Sequence, residues 1–249
     1  MLKFRKIIGA VLVLVLFVCS IASCQKKPAD NENAIDKAEK ALENAAYSVD
    51  ATIEYSSEDE DMKSAIASFS KPVMKIRVDG DKFQGRMDLK LDGANNYITY
   101  TYVDGVLYTE WCENGKTVQS SQSLGDADKA ALTESYGAGA NISVSDFEKV
   151  LESKNDDVTV ITCETIKDDA LLALVNSLKS EFELVGFNCS VALKDAKLSI
   201  EIKDGKYDTT TLTCLYYITT SLDTYSIEMK YFCKFDYAAE FEITAPNFD

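Results

Sequence analysis

Seven cysteines and not one histidine bound the chemistry open to this chain of 249 residues. Without His there is no Ser–His–acid triad, no imidazole general base and no imidazole metal ligand. A thiol can serve as nucleophile, metal ligand, half of a disulfide or plain apolar filler. No two cysteines stand in a C-x-x-C spacing, which weakens a zinc or redox reading. The chain also lacks a G-x-S-x-G elbow, a glycine-rich phosphate loop and a metal-ligand cluster. Carboxylates are many, but spacing alone does not show that any two of them converge. Glu58-Asp59-Glu60-Asp61 lacks the alternation and the glycine of a calcium loop and reads as solvated loop. The expectation is a protein that is not an enzyme and uses neither metal nor cofactor.

Cys24 is set apart by its surroundings. It follows Ile21-Ala22-Ser23, and ahead of these lie Lys3, Arg5 and Lys6, then an apolar run from Ile7 to Val18. A basic start followed by a short apolar core is the plan of a secretory signal. The run falls short of the ~18–20 apolar residues of a membrane-spanning helix. A small-residue site ending in Cys resembles the bacterial lipobox. That resemblance implies that Cys24 is diacylated, becomes the new N-terminus and anchors the protein to a membrane. The alternative is ordinary cleavage near Ala22 and a soluble secreted product. On the lipobox reading residues 1–23 are the signal peptide and 24–33 a lipidated N-terminus and flexible tether. Residues 34–249 are then one domain at the outer face of the cell membrane, or of an outer membrane where the organism has one. Gln25 stands where an Asp would suggest inner-membrane retention.

Net charge is −15, and the signal carries only positive side chains, so the mature body is more acidic still. That balance excludes nucleic acid as a partner, since phosphates need Lys and Arg. It also opposes lying flat on an anionic bilayer, and it suits a soluble body held on a tether.

The elements that must position these residues are mostly strands. Ala34 to Ala46 has Ala34, Ala38, Ala41 and Ala45 at helical spacing. Tyr47 to Tyr55 alternates, with Tyr47, Val49, Ala51, Ile53 and Tyr55 on one face. From Lys71 to Ser121 the pairs Asp79-Gly80, Asp92-Gly93, Asp104-Gly105 and Asn114-Gly115 punctuate strand-rich segments. Such pairs are the strongest short hairpin signal, because both residues accept positive φ. A two-residue turn at Asp104-Gly105 pairs Val103 with Val106, Tyr102 with Leu107, Tyr100 with Thr109 and Ile98 with Trp111. The turn at Asn114-Gly115 pairs Trp111 with Val118. Ile98, Tyr100, Tyr102, Leu107, Trp111 and Val118 then share a face, as a pleated sheet requires. Met74, Ile76 and Val78 face Phe83, Met87, Leu89 and Leu91 across the first turn. Asp126–Ser135 and Ser143–Ser153 read as short helices, with Phe147, Val150 and Leu151 inward on the second. Asp157–Thr165 reads as a strand, and Asp168–Phe182 as a helix with Leu171, Leu174, Val175 and Leu178 in one stripe.

A second strand run begins near Phe187. Asp204-Gly205-Lys206 suggests a three-residue hairpin loop with a bulge. Leu212, Cys214, Tyr216 and Ile218 point one way, as do Ile227, Met229, Tyr231, Cys233 and Phe235. A turn near Leu222-Asp223-Thr224 sets Ile218 against Met229, Tyr216 against Tyr231 and Cys214 against Cys233. The last pair is the candidate disulfide of an exported chain. Ala238–Thr244 reads as a final strand stopping at Pro246.

The order of lipobox, tether, N-terminal helix, antiparallel meander, inserted helices and returning strands resembles the LolA/LolB/LppX-like lipoprotein-carrier superfamily. It covers residues 33–246 and rests on element order. The resemblance implies an α+β, mainly β fold: one large curved antiparallel sheet, a half-barrel, with helices packed on its concave face. The hollow between them takes acyl chains. The counterparts of its lining are Ile98, Tyr100, Tyr102, Leu107, Trp111, Leu171, Leu174, Val175, Leu178, Tyr216, Met229 and Tyr231. These residues could equally fill a closed core. The expected function is a membrane-anchored binding module for a hydrophobic ligand, a lipid or a lipidated protein. The alternative is a surface protein that binds a partner or glycan through its edge strands or through Thr209, Thr211, Thr213 and Tyr217.

Metabolic labelling with a radioactive fatty acid tests the anchor. The full chain is expected to take up label, and Cys24→Ala to lose it entirely.

Overall fold

Alternation of apolar and polar residues over long stretches, with a turn pair after nearly every one, drives this chain into hairpins. The computed structural model describes residues 34–60, 63, 73–79, 82–90, 96–125, 144–172, 175–176, 179, 189–221, 223–238 and 242–248. Among these described residues helix α1 (Ala34–Asn44) comes first. Eleven strands follow: β1 (Tyr47–Ser56), β2 (Val73–Asp79), β3 (Lys82–Lys90), β4 (Tyr97–Val103), β5 (Val106–Glu113), β6 (Lys116–Ser123), β7 (Phe147–Asn155), β8 (Val158–Ile166), β9 (Ser190–Lys203), β10 (Lys206–Thr219) and β11 (Thr224–Asp236). They form one open antiparallel sheet in the order β6-β5-β4-β3-β2-β1-β11-β10-β9-β8-β7. The protein is thus mainly β, with few helices.

The register expected for β4, β5 and β6 is the register observed, from Val103 opposite Val106 to Trp111 opposite Val118. Asp104, Gly105, Asn114 and Gly115 all take positive φ, which the Asp-Gly and Asn-Gly turns need. Val78 meets Phe83 and Met74 meets Met87, as alternation requires.

The sheet has two unlike faces. The first carries Val49, Ala51, Ile53, Met74, Ile76, Met87, Leu212, Cys214, Tyr216, Ile227, Met229, Tyr231 and Cys233, all buried. Helix α1 packs on it over β9 and β10. Ala38 is fully buried, with Ala34, Ile35 and Leu42 against the core beside it. Residues 168–172, 175–176 and 179 are helical, and Ala170, Leu171 and Val175 also meet this core.

Two bulges keep the first face apolar. Between Leu193 and Ala196 the buried positions of β9 switch from odd to even numbers, and the pairing with β10 slips there. Between Tyr207 and Thr209 the pairing slips again, carrying the burial of β10 from Tyr207 to Thr210. Each extra residue is left unpaired so that the apolar set returns to one side.

Four expectations are corrected. Phe147–Asn155 is a strand, not part of a helix over Ser143–Ser153. Its apolar residues at 147, 150 and 151 mimic a helical stripe. Asp156 at φ 52° instead closes a two-residue turn onto β8, and β8 offers a row of ladder partners that outweighs local propensity. Only Phe147 is buried; Val150 and Leu151 are exposed.

The Asp204-Gly205 turn has two residues, with Lys203 opposite Lys206, and the expected bulge lies farther on near Asp208. The β10–β11 turn is centred two residues earlier than expected, over residues 220–223. Thr219 pairs with Thr224, and the Thr220 N–H donates to the Asp223 carbonyl at 2.8 Å. Ile218 therefore meets Tyr225 and Tyr216 meets Ile227.

Residues 242–248 form no strand. Ile243 is buried, and its N–H donates to Gln84 Oε1 at 3.3 Å; Phe248 meets Tyr108 edge-on at 5.6 Å. Gln84 and Tyr108 lie on the second face, so the segment straps β3 to β5 there. Thr101 and Val103, on the same face of β4, are buried.

Several expected features lie outside the described residues: the signal and tether, the Asp126–Ser135 helix, the Asp92-Gly93 turn, and Leu91, Leu174 and Leu178.

The strap yields a stability prediction. Ile243→Ala is expected to cost about 2–4 kcal/mol in urea unfolding, the usual cost of emptying a buried Ile site. A cost below about 0.5 kcal/mol would mean the strap contributes nothing.

Candidate functional site

Row by row, the first face changes character towards β6. One row reads Leu89, Ile98, Trp111, Val118 across β3, β4, β5 and β6. Exposure grows outward along it, from 7% at Leu89 to 49% at Trp111 and 68% at Val118. The next row holds Met87, Tyr100, Thr109 and Ser120, and the one after it Gly85, Tyr102, Leu107 and Gln122. No charged side chain stands on this face of β3, β4 or β5 except Glu113, paired across the hairpin end with Lys116. In a chain of net charge −15 that is an uncharged, aromatic and aliphatic platform.

The expected lining residues separate into two groups. Ile98, Tyr100, Tyr102, Leu107 and Trp111 belong to this platform. Tyr216, Met229 and Tyr231 are buried in the core on β10 and β11, with Leu171 and Val175 against the same core. β3, β2 and β1 stand between the groups. Across four strand spacings that is about 19 Å, so one small ligand would not touch both ends.

Behind the platform, the second face carries a polar row that sequence reasoning did not find. Asp88, Thr99, Glu110 and Gln119 align across β3 to β6. Arg86 grips Asp88 in a fork, Nε to Oδ2 at 2.9 Å and Nη2 to Oδ1 at 2.9 Å, and the Thr99 hydroxyl donates to Oδ1 at 2.9 Å. Tyr97 donates to Glu110 Oε1 at 2.6 Å and Gln119 to Oε2 at 2.5 Å. Partial burial alone would raise the Asp88 pKa, but the Arg86 and Thr99 hydrogen bonds outweigh it and hold the carboxyl below its ordinary range. The Tyr97 and Gln119 hydrogen bonds depress Glu110 likewise. Both carboxylates are therefore ionised, hydrogen-bonded struts, poorly suited to acid–base chemistry. Register arithmetic already sets Thr99 opposite Glu110; the four-strand row needed the β3 register as well.

Elsewhere on the second face, Thr209, Thr211, Thr213 and Tyr217 are half-buried along β10, as alternation predicts. Thr209 donates to Glu201 at 2.7 Å, and Lys194 lies near the Tyr217 ring. Glu58-Asp59-Glu60-Asp61 has a structural use: Asp59 Oδ2 accepts the Ser226 N–H at 3.0 Å, tying the loop after β1 to β11.

Cys112, Cys163, Cys189, Cys214 and Cys233 are all free and buried. The expected Cys214–Cys233 disulfide does not fit the observed register. Cys214 lies opposite Met229 and Cys233 opposite Thr210. Four residues along β11 separate the two sites, about 13 Å at ~3.3 Å per residue, whereas a disulfide needs Cα atoms within about 7 Å. Burial pushes the Cys214 thiol up to about 12 and the Cys163 and Cys233 thiols up to about 11. At neutral pH they are protonated apolar fillers, not nucleophiles.

Among the described residues no helix is long and apolar enough to cross a membrane. No family model matches this chain, and no curated protein matches it.

Iodoacetamide at pH 8 is expected to leave Cys163, Cys214 and Cys233 unmodified in the folded protein and to modify all three in guanidinium. Intact mass that shows a Cys214–Cys233 bond would contradict the register.

Proposed function

We propose that this chain is a membrane-anchored exported lipoprotein whose first face receives a hydrophobic ligand, a lipid or a lipid-modified protein. The observation that carries the reading is the uncharged row Leu89, Ile98, Trp111, Val118, whose exposure rises towards the edge of the sheet. Apolar surface left open to water is unfavourable by about 25 cal/mol per Å², and a ligand that covers it recovers that free energy. No charge must be desolvated when it does so. Half-buried Tyr100 and Leu107 extend the platform inward to Met87 and the closed core.

In this reading the sheet is curved as a half-barrel, as in the LolA/LolB/LppX-like superfamily, with α1 and the helical residues from Asp168 as the plug on its concave face. Tyr216, Met229 and Tyr231 form the floor beneath the plug, and the ligand occupies the β3–β5 end. The lipid on Cys24 keeps the module at a membrane, where acyl ligands are found, and the work is binding rather than catalysis.

Trp111 is the only tryptophan, so its fluorescence reports on this site alone. Titration with a fatty acid brominated along its chain is expected to quench it, and Trp111→Ala to weaken binding of the unlabelled acid about tenfold, a loss of about 1.4 kcal/mol. Unquenched emission, together with native mass spectra free of any co-purified lipid, would overturn the proposal.

A further inference from the structure

Ten residues, Cys24 to Asn33, separate the site of the anchor from helix α1. None of them carries a large apolar side chain, and Lys26 and Lys27 offset Asp30 and Glu32. Nothing in the stretch itself competes for an apolar surface. Fully extended, ten residues span up to about 33 Å. Helix α1 rests over β9 and β10, and six strand spacings lead from β10 to β5, about 29 Å across the sheet. Acyl chains on Cys24 add their own length to that reach, so they can meet the platform of the same molecule.

The first face surfaces at two ends, and only one of them suits an acyl chain. Val73 meets both Thr52 and Asp88, so Leu89 stands in one row with Ile53. Continued across β11, β10, β9 and β8, that row is buried from Ile53 to Cys163 and is exposed again at Val150 of β7. Beside Val150 on the same face stand Glu152 and Lys154, both exposed. A chain laid there would strip water from charges, which is costly. From Trp111 and Val118 towards Leu107 and Gln122 the face of β5 and β6 carries no charge.

We propose that the platform holds the protein's own acyl chains, those on Cys24, while the anchor is out of a membrane, and stands open to a ligand once the anchor is in one. This rests on the reading of the chain as a lipoprotein with an apolar ligand face. A bilayer surrounds an acyl chain on every side, whereas an open sheet face covers one side of it. The gain follows the apolar area removed from water, so the bilayer outcompetes the platform and the platform outcompetes water. No second molecule is needed, because the short stretch from Cys24 to α1 keeps the chains at high effective concentration near the face. Location thereby regulates the site: covered by its own lipid in transit, vacant at the membrane.

The test uses the full lipidated chain from cells fed a fatty acid that carries a diazirine. Irradiated free of detergent and vesicles, it is expected to sediment as a monomer and to cross-link within itself, at peptides of β4, β5 and β6. Irradiated on phosphatidylcholine vesicles, it is expected to cross-link to phospholipid instead. Off vesicles the lipidated chain should bind the brominated fatty acid about tenfold more weakly than Cys24→Ala does. Cross-links between copies, cross-links with no preference for β4 to β6, or equal affinity of the two forms would each overturn self-covering. Quenching of Trp111 in Cys24→Ala then separates the claims. Where it persists, the ligand face stands and only self-covering falls; where it is absent, both fall.

Discussion

The pairing of β1 with β11 holds the two halves of the sheet together. Every other strand contact joins strands adjacent along the chain. β1 to β6 meander away from the seam on one side, and β7 to β11 return to it from the other. Closing the seam brings together residues separated by roughly 180 positions, such as Ala51 and Cys233, at an entropic cost that grows only slowly with length. The return is burial: Ala51, Ile53, Tyr231 and Cys233 all lie within the core. Without this seam the chain would be two sheets, each with an extra exposed edge.

From the seam the apolar first face spreads outward, and its covering is uneven. Helix α1, over β9 and β10, and Ala170, Leu171 and Val175 pack against the core. Towards β6 the cover thins, and Trp111 and Val118 are left in water. On the second face of the same strands the C-terminal strap and the Arg86–Asp88–Thr99 and Tyr97–Glu110–Gln119 hydrogen bonds fasten β3 to β6. The platform is thus braced from behind while its own side stays open. A rigid, uncharged surface of this kind suits an apolar ligand, because little ordering is left to be done on binding.

Among the described residues the buried thiols are structural. Cys163, Cys214 and Cys233 fill positions where neighbouring strands place Leu198, Ala196 and Ala51. Some of the partnered carboxylates are struts between strands. Lys149 with Glu164 at 2.6 Å and Lys234 with Asp208 at 2.5 Å tie neighbouring strands on solvated ground, where such pairs contribute little individually.

Local information in the chain was enough for α1, for β1, and for the hairpins at Asp104-Gly105 and Asn114-Gly115, down to the partner of each residue. Positive-φ turn pairs set register there, and alternation alone reported the buried face of β1, β10 and β11. It was not enough where two periods compete: Phe147, Val150 and Leu151 fit a helix as well as a strand, and only the neighbouring edge of β8 decides. It also failed where the place of a turn sets register. The β10–β11 turn, fastened by Thr220 and Asp223, is centred two residues before the expected one, and that shift sets Cys214 against Met229 and not Cys233. Strand order, the β1–β11 seam, the strap over Thr101 and Val103 and the outward gradient from Leu89 to Val118 belong to the tertiary structure alone. Each depends on which strands become neighbours, and that choice rests on burial summed over the whole sheet, which no short window of sequence contains.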